Sequence, residues 1–508
     1  MTALASSYGE YEHLLFDRGY LLSRYQDGEP VILQRLGWEN VRLGEWTLAH
    51  SRRIDLAQVE RGGARLVLLG WGCSVEIDSV DGQEIAHWLA DADQDDEFQR
   101  RVNSLIGRFA VLRLGPEGVR VQQDGLGLRG VYYSAAQYPT VVGSHAHLVG
   151  EVIGTPPSAW ARPTFTKETN LRSAPGRQTT RNGVLALTPN TELDLSSRAL
   201  QRILPVEQRV EAGRMPEVMT QIREIVERGI DLLAAGPRPL VISLSAGIDS
   251  RLTLALARRN VQRITWFTYE LAYQAPTSAS EHDATTGEWL AENLGLHHRP
   301  ITINSPEVPV DFSAVLMANR FRAHSVALAH AYLKKLPTDA LHLRSSGYGI
   351  SGAFYLTHGF PNDEVDPQYR MHLASFLKCT DPHVHDAFVD LSDATSFDAI
   401  KTHGYDPLDF QRWEYREGVW LQSTLQESDP SSETGILFGS RQILTKLLSL
   451  PFQDRATYRH FIWLLQEAWP ELLDIPINGR DYSAIELSDL SWSPGDVVQR
   501  ERPPLLSF

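Results

Sequence analysis

An apolar run, a loop of small residues and a helix-prone segment follow one another over residues 239–259, and they constrain this chain most. The run 240–244 has the length of a buried strand and stops at Ser245-Ala-Gly-Ile-Asp-Ser250. Small side chains let the backbone approach a ligand closely, and the first N–H groups of a helix have no partner within that helix. The pattern therefore predicts a strand, a tight loop and a helix N-terminus that binds an anion such as phosphate.

The spacing of this loop differs from that of other phosphate loops. A Walker A loop is longer and ends in Lys-Ser or Lys-Thr, and a dinucleotide loop has the pattern GxGxxG. The loop instead resembles the Ser-Gly-Gly-x-Asp-Ser loop of the ATP pyrophosphatases, with Ala246 in place of the second glycine. The alternative is a buried strand–helix turn that contains Ser and Gly by chance. The resemblance implies that Asp249 binds Mg²⁺ and that ATP contacts Leu244, Ser245, Ala246, Gly247, Ile248, Asp249 and Ser250.

Composition restricts the class of protein. The 508 residues are sufficient for two or three domains, and 42% of them are hydrophobic. The net charge is −15 and no Lys/Arg cluster is present, so neither nucleic acid nor an anionic membrane is expected as the main partner. The two cysteines, Cys73 and Cys379, predict neither a disulfide framework nor a zinc site. No apolar run has the length of a membrane span, so a cytoplasmic protein is expected.

The first 205 residues have the pattern of a β-rich domain. Apolar segments separated by turn residues predict strands at 13–16, 20–25, 31–36, 46–49 and 65–76. A helix is predicted at 83–92. Two hairpins are predicted, one of 109–114 with 119–123 and one of 183–188 with 192–195. Many strands with few helices indicate two stacked sheets.

Three fragments of this region, 105–110, 124–133 and 142–148, resemble the N-terminal glutaminase domain of asparagine synthetase. A working glutaminase of that class uses an N-terminal cysteine whose α-amine activates its own thiol. No cysteine occurs near the start of this sequence, and a threonine nucleophile at Thr2 is a remote alternative. The glutamine-binding Asn-Gly-Glu segment is replaced around 69–74. The resemblance therefore implies an Ntn-hydrolase-like sandwich, residues 1–205, that does not produce ammonia.

Strand and helix patterns alternate after residue 205. A helix with apolar residues at helical spacing covers 218–233, strands are predicted at 264–269 and 298–303, and a helix at 278–294 ends at Gly295. This order predicts an α/β domain with a parallel sheet, residues 206–508, whose later part is helical. Together the two halves predict an α+β sandwich followed by an α/β ATP-pyrophosphatase (HUP-like) domain. Thr268, at the end of its strand, is expected to border the adenine or the ribose.

A second loop of Gly and Ser follows the strand predicted at 340–344. Its sequence, Ser345-Ser-Gly-Tyr-Gly-Ile-Ser-Gly352, resembles the Thr-Gly-Tyr-Gly-Ser-Asp loop of β-lactam synthetases. The resemblance implies that Ser346 and Gly347 contact the nucleotide and that Tyr348 is catalytic. Ser351 stands where the family has an acidic residue that binds magnesium, which leaves Asp249 as the expected ligand. A turn rich in glycine for conformational reasons alone remains the alternative.

Charged residues of the last third complete the expected site. In β-lactam synthetases a glutamate acts with the loop tyrosine to deprotonate the amine, and Glu414 is the candidate here. A lysine that stabilises the transition state in the family is replaced by Arg480, a fixed cation that cannot exchange protons. Further candidates for charges in the cleft are Arg416, Arg441 and Lys446. For each of them, a salt bridge without a catalytic role is an equal alternative.

The resemblance implies an ATP-dependent, AMP-forming ligase that adenylates a carboxylate and transfers it to an amine, without its own glutaminase. One alternative is a nucleotide-binding regulatory or scaffold protein that has lost catalysis. A third is an asparagine synthase that uses free ammonia. The expected partners are ATP, Mg²⁺, a small-molecule or peptide carboxylate and an amine, and a homodimer is left open.

Overall fold

The computed structural model describes residues 8–24, 30–161, 174–211, 214–275, 278–320, 325–357, 368, 379, 381–482 and 498–499. Two antiparallel sheets of six strands form the first part of the chain. One sheet has the order β10-β8-β9-β1-β3-β2 and the other has the order β12-β11-β7-β6-β5-β4. The strands are β1 (Tyr20–Ser23), β2 (Glu39–Leu43), β3 (Trp46–His50), β4 (Leu56–Arg61), β5 (Ala64–Cys73), β6 (Ile106–Gly115), β7 (Gly118–Gln123), β8 (Tyr132–Ser134), β9 (Val141–Gly143), β10 (Val184–Ala186), β11 (Thr191–Asp194) and β12 (Leu200–Arg202).

A five-stranded parallel sheet follows, in the order β15-β14-β13-β16-β17. Its strands are β13 (Leu240–Ser243), β14 (Ile264–Leu271), β15 (His298–Ile303), β16 (Leu341–Leu343) and β17 (Glu433–Gly435). Leu240, Val241 and Ile242 of the central strand are all buried, as the uninterrupted apolar run predicts for a strand covered on both faces. The short strands β18 (Arg480–Asp481) and β19 (Val498–Gln499) pair with each other.

Helices pack around these sheets. They are α1 (Val31–Leu36), α2 (Gly82–Ala90), α3 (Asp95–Ser104), α4 (Ala146–Val152), α5 (Met215–Ala235), α6 (Ile248–Leu256), α7 (Ala279–Leu294), α8 (Val310–Asn319), α9 (Val326–Lys335), α10 (Phe354–Thr357), α11 (Pro382–Ala394), α12 (Asp398–Thr402), α13 (Pro407–Phe410), α14 (Gln422–Leu425), α15 (Arg441–Ser449), α16 (Phe452–Ala456) and α17 (Arg459–Ala468). A π-helix spans Gln411–Leu421. Short 3-10 helices occur at Gly9–Leu14, Ala159–Ala161, Arg258–Arg263, Tyr348–Ile350 and Pro470–Leu473. None of the described helices combines the length and the apolar character that crossing a bilayer requires.

The fold class expected from the sequence is confirmed, and so are most of its elements. The hairpin of β6 with β7 closes at Gly115 and Gly118, and α7 ends where Gly295 takes a left-handed conformation. The division expected at residue 205 falls between β12 and α5. One hydrophobic core nevertheless joins residues from both sides of that point, among them Trp71, Leu126, Ile242 and Trp413.

Three predictions in the first half are wrong. Residues 31–36 form α1 and not a strand, because only Leu33 is buried and Pro30 and Gly37 bound a single helical turn. Residues 13–16 contain no strand, since the chain there ends the 3-10 helix Gly9–Leu14. The second predicted hairpin does not form: β10 pairs with β8 in one sheet and β11 pairs with β7 in the other. The chain crosses between the sheets there because Leu187, Leu193 and Leu195 all enter the core between them.

Candidate active site

Two loops meet at the carboxyl edge of the parallel sheet. The loop 244–247 leaves the central strand β13, and the loop 344–347 leaves its neighbour β16. The Ser345 hydroxyl of the second loop donates a hydrogen bond to Thr253 Oγ1 of α6, which continues the first loop, at 2.8 Å. The sheet order and the parallel register thus bring together two sequence motifs that lie about a hundred residues apart in the sequence.

The segment 244–250, which we call the phosphate loop, contains the loop 244–247 and the start of α6, and its shape is fixed by two serines. Ser250 Oγ accepts the Ser245 N–H at 3.2 Å and donates to Ser245 O at 2.9 Å. The hydroxyl oxygens of Ser245 and Ser250 are 3.0 Å apart. Helix α6 starts at Ile248, and Arg251 N–H bonds to Gly247 O at 3.3 Å. The N–H groups of Ile248, Asp249 and Ser250 therefore precede the hydrogen-bond ladder of the helix, as an anion site requires.

Ala246 replaces the family glycine without backbone strain. It is not among the residues with positive φ, so the missing second glycine carries no conformational penalty here. Its N–H donates to Asp283 Oδ1 at 2.8 Å, and its carbonyl oxygen accepts the Asn478 N–H at 3.3 Å. Sequence reasoning missed Asp283. The signal that could have found it is an acid in the first turns of α7, the helix that follows strand β14.

Asp249 is half-buried, on the first turn of α6. Burial and the nearby charge of Glu417 raise the pKa of its carboxyl group and Arg412 lowers it, and together they bring this pKa to about 7. No cluster of three or more His, Cys, Asp or Glu suited to a metal occurs in the described ranges. Mg²⁺ is commonly held by one or two carboxylates, with phosphate oxygens and waters as the remaining ligands. A lone carboxylate beside an anion-binding loop fits that mode.

Tyr348 lies in the second loop and is almost completely buried. Its hydroxyl is 2.7 Å from Thr253 Oγ1, and its ring packs against Phe438 and Phe461, with centroids 4.5 and 5.6 Å away. Burial raises the pKa of the Tyr348 phenol above its ordinary value, although the Thr253 hydrogen bond opposes this. The Tyr348 hydroxyl is therefore joined to the phosphate loop through Thr253.

The other predicted residues of the second loop have different surroundings. Gly347 has φ +84°, a conformation that L-residues other than glycine rarely adopt. Ser346 is half-buried, and its N–H donates to Arg344 O at 3.0 Å. Ser351 is fully buried and its Oγ is 3.0 Å from His460 Nε2, so it faces the core. Burial lowers the pKa of His460 to about 3 and keeps this imidazole neutral.

Thr268 and Leu244 have a structural position beside the phosphate loop. The Thr268 hydroxyl donates to Leu244 O at 2.9 Å and lies 3.0 Å from His298 Nε2. Thr268 also packs closely on Gly287 of α7, where an added Cβ would be 2.2 Å from Thr268 Oγ1. These contacts fix the end of β14 against the phosphate loop.

Glu414 is not a hydrogen-bond partner of Tyr348. Its carboxylate accepts two bonds from Arg202, at 2.7 and 3.1 Å, and one from Asn190 Nδ2 at 3.1 Å. Both partners belong to the first half of the chain. Arg441 is likewise buried against that half, with its Nη2 2.8 Å from Gln123 O. Of the other candidate charges, Lys446 bonds to Gln221 at 2.6 Å and Arg416 lies over the Trp420 ring at 3.8 Å.

Glu417 and Arg412, which sequence reasoning missed, lie on the side of the π-helix that approaches Asp249. Arg412 Nη2 is 3.4 Å from Glu417 Oε1, and its guanidinium lies 4.5 Å from the Phe354 ring centroid. An added Cβ on Gly349 would be 2.5 Å from Arg412 Nη2, so this arginine packs directly on the Gly-Tyr-Gly segment. The five-residue spacing of Arg412 and Glu417 matches the π-helix repeat, which no residue pattern in the sequence indicates.

Arg480 lies close to the phosphate loop. Asn478, two residues earlier in the same turn, donates its N–H to Ala246 O. The pKa of the Tyr458 phenol is raised by burial and by Asp249, while Arg412 and Arg480 lower it. Asp249, Arg412, Tyr458 and Arg480 thus share one electrostatic environment. A cavity of about 40 Å³, lined by Tyr132, His147, Arg320 and others, lies elsewhere and includes no residue of the two loops.

The geometry defines a class first: a parallel α/β sheet with a Ser-Ala-Gly-Ile-Asp-Ser loop at its carboxyl edge is an arrangement of the ATP-pyrophosphatase type. Residues 221–320 match the family model described as asparagine synthase. This segment contains the phosphate loop, so the similarity to that family includes the candidate site. That family consists of ATP-dependent ligases that form C–N bonds.

The other comparisons are with curated proteins and with solved structures. A search of curated proteins finds no match. Among solved structures, the allosteric regulatory enzyme of purine biosynthesis is 14% identical, covers 66% of this chain and 69% of its own, and has a TM-score of 0.24. Glutamine phosphoribosylpyrophosphate amidotransferase from B. subtilis is 13% identical over 69% of this chain and 74% of its own, with a TM-score of 0.23. NH3-dependent NAD synthetase from Campylobacter jejuni is 15% identical over 38% of this chain and 97% of its own, with a TM-score of 0.18.

Proposed function

We propose that the protein is an AMP-forming ligase that uses ATP to activate a carboxylate and then joins it to an amine. The phosphate loop is the observation that carries this proposal. It combines two serine hydroxyls, three helix-terminal N–H groups and the Asp249 carboxylate at one edge of the sheet. The second loop, with Tyr348, lies directly beside it.

The reaction has two steps. A carboxylate oxygen attacks the α-phosphorus, the bond from that phosphorus to the bridging oxygen breaks, and pyrophosphate leaves into the phosphate loop. The amine nitrogen then attacks the acyl carbon, AMP leaves, and the nitrogen loses a proton to a base. Mg²⁺, when bound, is held in part by Asp249 and offsets the charge that develops on the phosphates. Ser346, Gly347 and Thr268 remain proposed neighbours of the nucleotide.

Arg480 and Glu417 complete the proposed machinery. Arg480 supplies a permanent positive charge near the departing phosphates. Glu417 is a better candidate than Glu414 for the proton acceptor, because its charge acts on Asp249, whereas Glu414 is bonded to Arg202 and Asn190. Tyr348 would act through Thr253, to which its hydroxyl is bonded.

The absence of glutaminase chemistry is a further part of the proposal. Cys73 is fully buried on β5, and burial raises the pKa of its thiol to about 12. Cys379 is also buried. Neither thiol has the exposure of a nucleophile, and the pKa of the Cys73 thiol is raised and not lowered. The cytoplasmic location and the homodimer stay predictions.

A nucleotide-binding scaffold without catalysis is the second candidate. Ser351, at the position of the family's acidic residue, faces His460 and supplies no carboxylate to the site. Such a protein would bind ATP but would not break it.

Exchange of labelled pyrophosphate into ATP, in the presence of a pool of carboxylates, separates the candidates. The ligase exchanges label, and Asp249→Asn abolishes the exchange. Asp339→Asn is the matched control, because Asp339 is exposed just before β16, at the opposite edge of the same sheet. Nucleotide binding without exchange for any carboxylate would favour the scaffold, and unchanged exchange in Asp249→Asn would remove the phosphate loop from the reaction.

A further inference from the structure

A buried turn in the first half of the chain, residues 124–129, has a shape fixed by one side chain. Asp124 Oδ1 accepts the N–H groups of Leu126 and Leu128, both at 3.0 Å, and its Oδ2 accepts the N–H of Arg129 at 2.9 Å. Asp124 itself is completely buried. We call this segment the anchor turn.

The anchor turn contacts the second half of the chain. At Gly125 an added Cβ would be 2.3 Å from Gly439 O and 2.8 Å from Arg441 N, so the two backbones touch. Trp413 Nε1 of the π-helix donates to Gly125 O at 2.6 Å. Through Trp413, the anchor turn therefore binds the π-helix that also carries Arg412 and Glu417.

Leu126 connects the anchor turn with the Gly-Tyr-Gly segment. Its side chain is fully buried, and its Cδ1 lies 3.4 Å from the position of a Cβ on Gly347 and 3.3 Å from that on Gly439. Leu126 belongs to the same hydrophobic core as Tyr348 and Phe438. It thus forms the wall behind the one residue of the second loop that has a left-handed conformation.

Trp71 of β5 supports the same loop through β17, the strand that pairs with β16. Its Nε1 donates to Thr434 O of β17 at 3.0 Å, and its ring fills the space beside Gly435, where an added Cβ would be 2.0 Å from Trp71 Cζ2. Gly435 O accepts the Arg344 N–H, at the start of the second loop, at 2.9 Å. Two side chains of the first half therefore contact the second loop or the strand beside it.

We propose that the first half of the chain serves the ligase site as a support: Leu126, assisted by Trp71, is a positioning residue that holds the Gly347–Gly349 turn in its catalytic geometry. The part of this proposal that is tested by activity rests on the proposed function. The part that is tested by hydrogen exchange does not. The physical reason is that Gly347 has little intrinsic preference for φ +84° over negative φ, so the side chains packed on it, Leu126 and Ile436, select the conformation. A displacement of about 1 Å at a reacting group can cost roughly a hundredfold in rate.

The test compares Leu126→Ala with Leu112→Ala. Both leucines are fully buried in the first half, but Leu112 lies in the core between the two antiparallel sheets. Each substitution removes similar buried volume, so both are expected to lower the urea midpoint of unfolding to a similar extent. Only Leu126→Ala is expected to speed amide hydrogen exchange in residues 344–352 and to lower kcat for amide formation at least about tenfold, with KM for ATP within about twofold.

Two further variants guard against a failure to fold. Leu126→Met keeps the volume and is expected to restore both readouts, and Trp71→Phe removes the bond to Thr434 O and keeps most of the ring. Equal effects of Leu126→Ala and Leu112→Ala, or faster exchange spread over the whole chain, would overturn the inference. A wild-type protein without pyrophosphate exchange would instead overturn the proposed function, and hydrogen exchange at 344–352 would still decide whether Leu126 positions the loop.

Discussion

At the scale of single residues, the hydroxyl group of Thr253 joins three parts of the candidate site. It donates to Asp249 O at 3.1 Å, accepts from Ser345 Oγ at 2.8 Å and is bonded to Tyr348 OH at 2.7 Å. A hydroxyl has one proton to donate. Because Thr253 gives that proton to Asp249 O, Tyr348 must be the donor in their mutual bond, and its phenolic proton points to Thr253.

Replacing Thr253 by valine is expected to leave the Tyr348 hydroxyl buried without an acceptor. The free energy of unfolding should fall by about 1–3 kcal/mol. Tyr348→Phe added to Thr253→Val should then cost little more, so that a double-mutant cycle in urea gives a coupling of at least about 0.5 kcal/mol. Thr402→Val is the control, since Thr402 makes the same bond to the carbonyl four residues earlier but is exposed. Additive effects of the two substitutions would contradict the hydrogen-bond chain.

At the scale of elements, the π-helix Gln411–Leu421 separates two glutamates that are three residues apart in sequence. Glu414 faces Arg202 and Asn190, and Glu417 faces Arg412 on the side of the phosphate loop. A single helical element thus serves the contact between the halves of the chain and the candidate active site.

Glutamine substitutions at these two positions are expected to have different effects, mainly on stability at Glu414 and mainly on the rate of amide formation at Glu417. Glu414→Gln should lower the free energy of unfolding by about 3–5 kcal/mol, because it leaves the buried Arg202 charge uncompensated. Glu417→Gln should cost less stability, because the Arg412–Glu417 pair is longer, at 3.4 Å, and Arg412 is less buried than Arg202. It should slow amide formation by about 10²–10⁴-fold, with pyrophosphate exchange retained, since it removes the proton acceptor of the second step only. Chemical unfolding and the two partial reactions measure these effects. If Glu414→Gln slowed amide formation and Glu417→Gln left its rate unchanged, the proton acceptor would be Glu414 and not Glu417.

The sequence was most informative where local chemistry decides the structure. The apolar run at 240–244 and the glycine at position 295 predicted β13 and the end of α7 because strand burial and a left-handed helix end depend on few residues. Residues 31–36 were misassigned because a short apolar run fits either a strand or a helical turn. The roles of Glu414 and Glu417 could not be predicted, because the π-helix changes their directions relative to an α-helix and no residue pattern in the sequence indicates a π-helix.

At the scale of the whole molecule, a buried group of charges fastens the two halves together. Glu433 of β17 lies 2.9 Å from Arg129 and 3.3 Å from Arg108, and Arg108 Nη2 also bonds to Asp429 at 2.9 Å. Burial alone would raise the pKa of Glu433, but Arg129, Arg108 and Arg18 lower it to about 2. These charges are buried and join residues of both halves.

Stability should therefore depend on Glu433 in acid. A carboxyl whose pKa is lowered by folding stabilises the protein fully above its unfolded value, here 4.5, and this contribution is lost as the pH falls towards about 2. Glu433→Gln should lower the free energy of unfolding by about 3–5 kcal/mol at pH 7, with a smaller difference from wild type at pH 3. Glu117→Gln, at an exposed position, should stay within about 0.5 kcal/mol at both pH values. A deficit that is independent of pH would show that Glu433 acts through packing alone.

The glycine-to-carbonyl contact between residues 125 and 439 also has a genetic consequence. A gene fragment that encoded only the second half would produce a chain in which Trp413, Arg441 and Glu433 lack their partners from the first half. The exposed surface would favour aggregation over a stable fold. Point changes could silence any chemistry in the first half, but a deletion could not remove that half harmlessly. Neither half is expected to fold stably alone, because each would expose residues that the other buries.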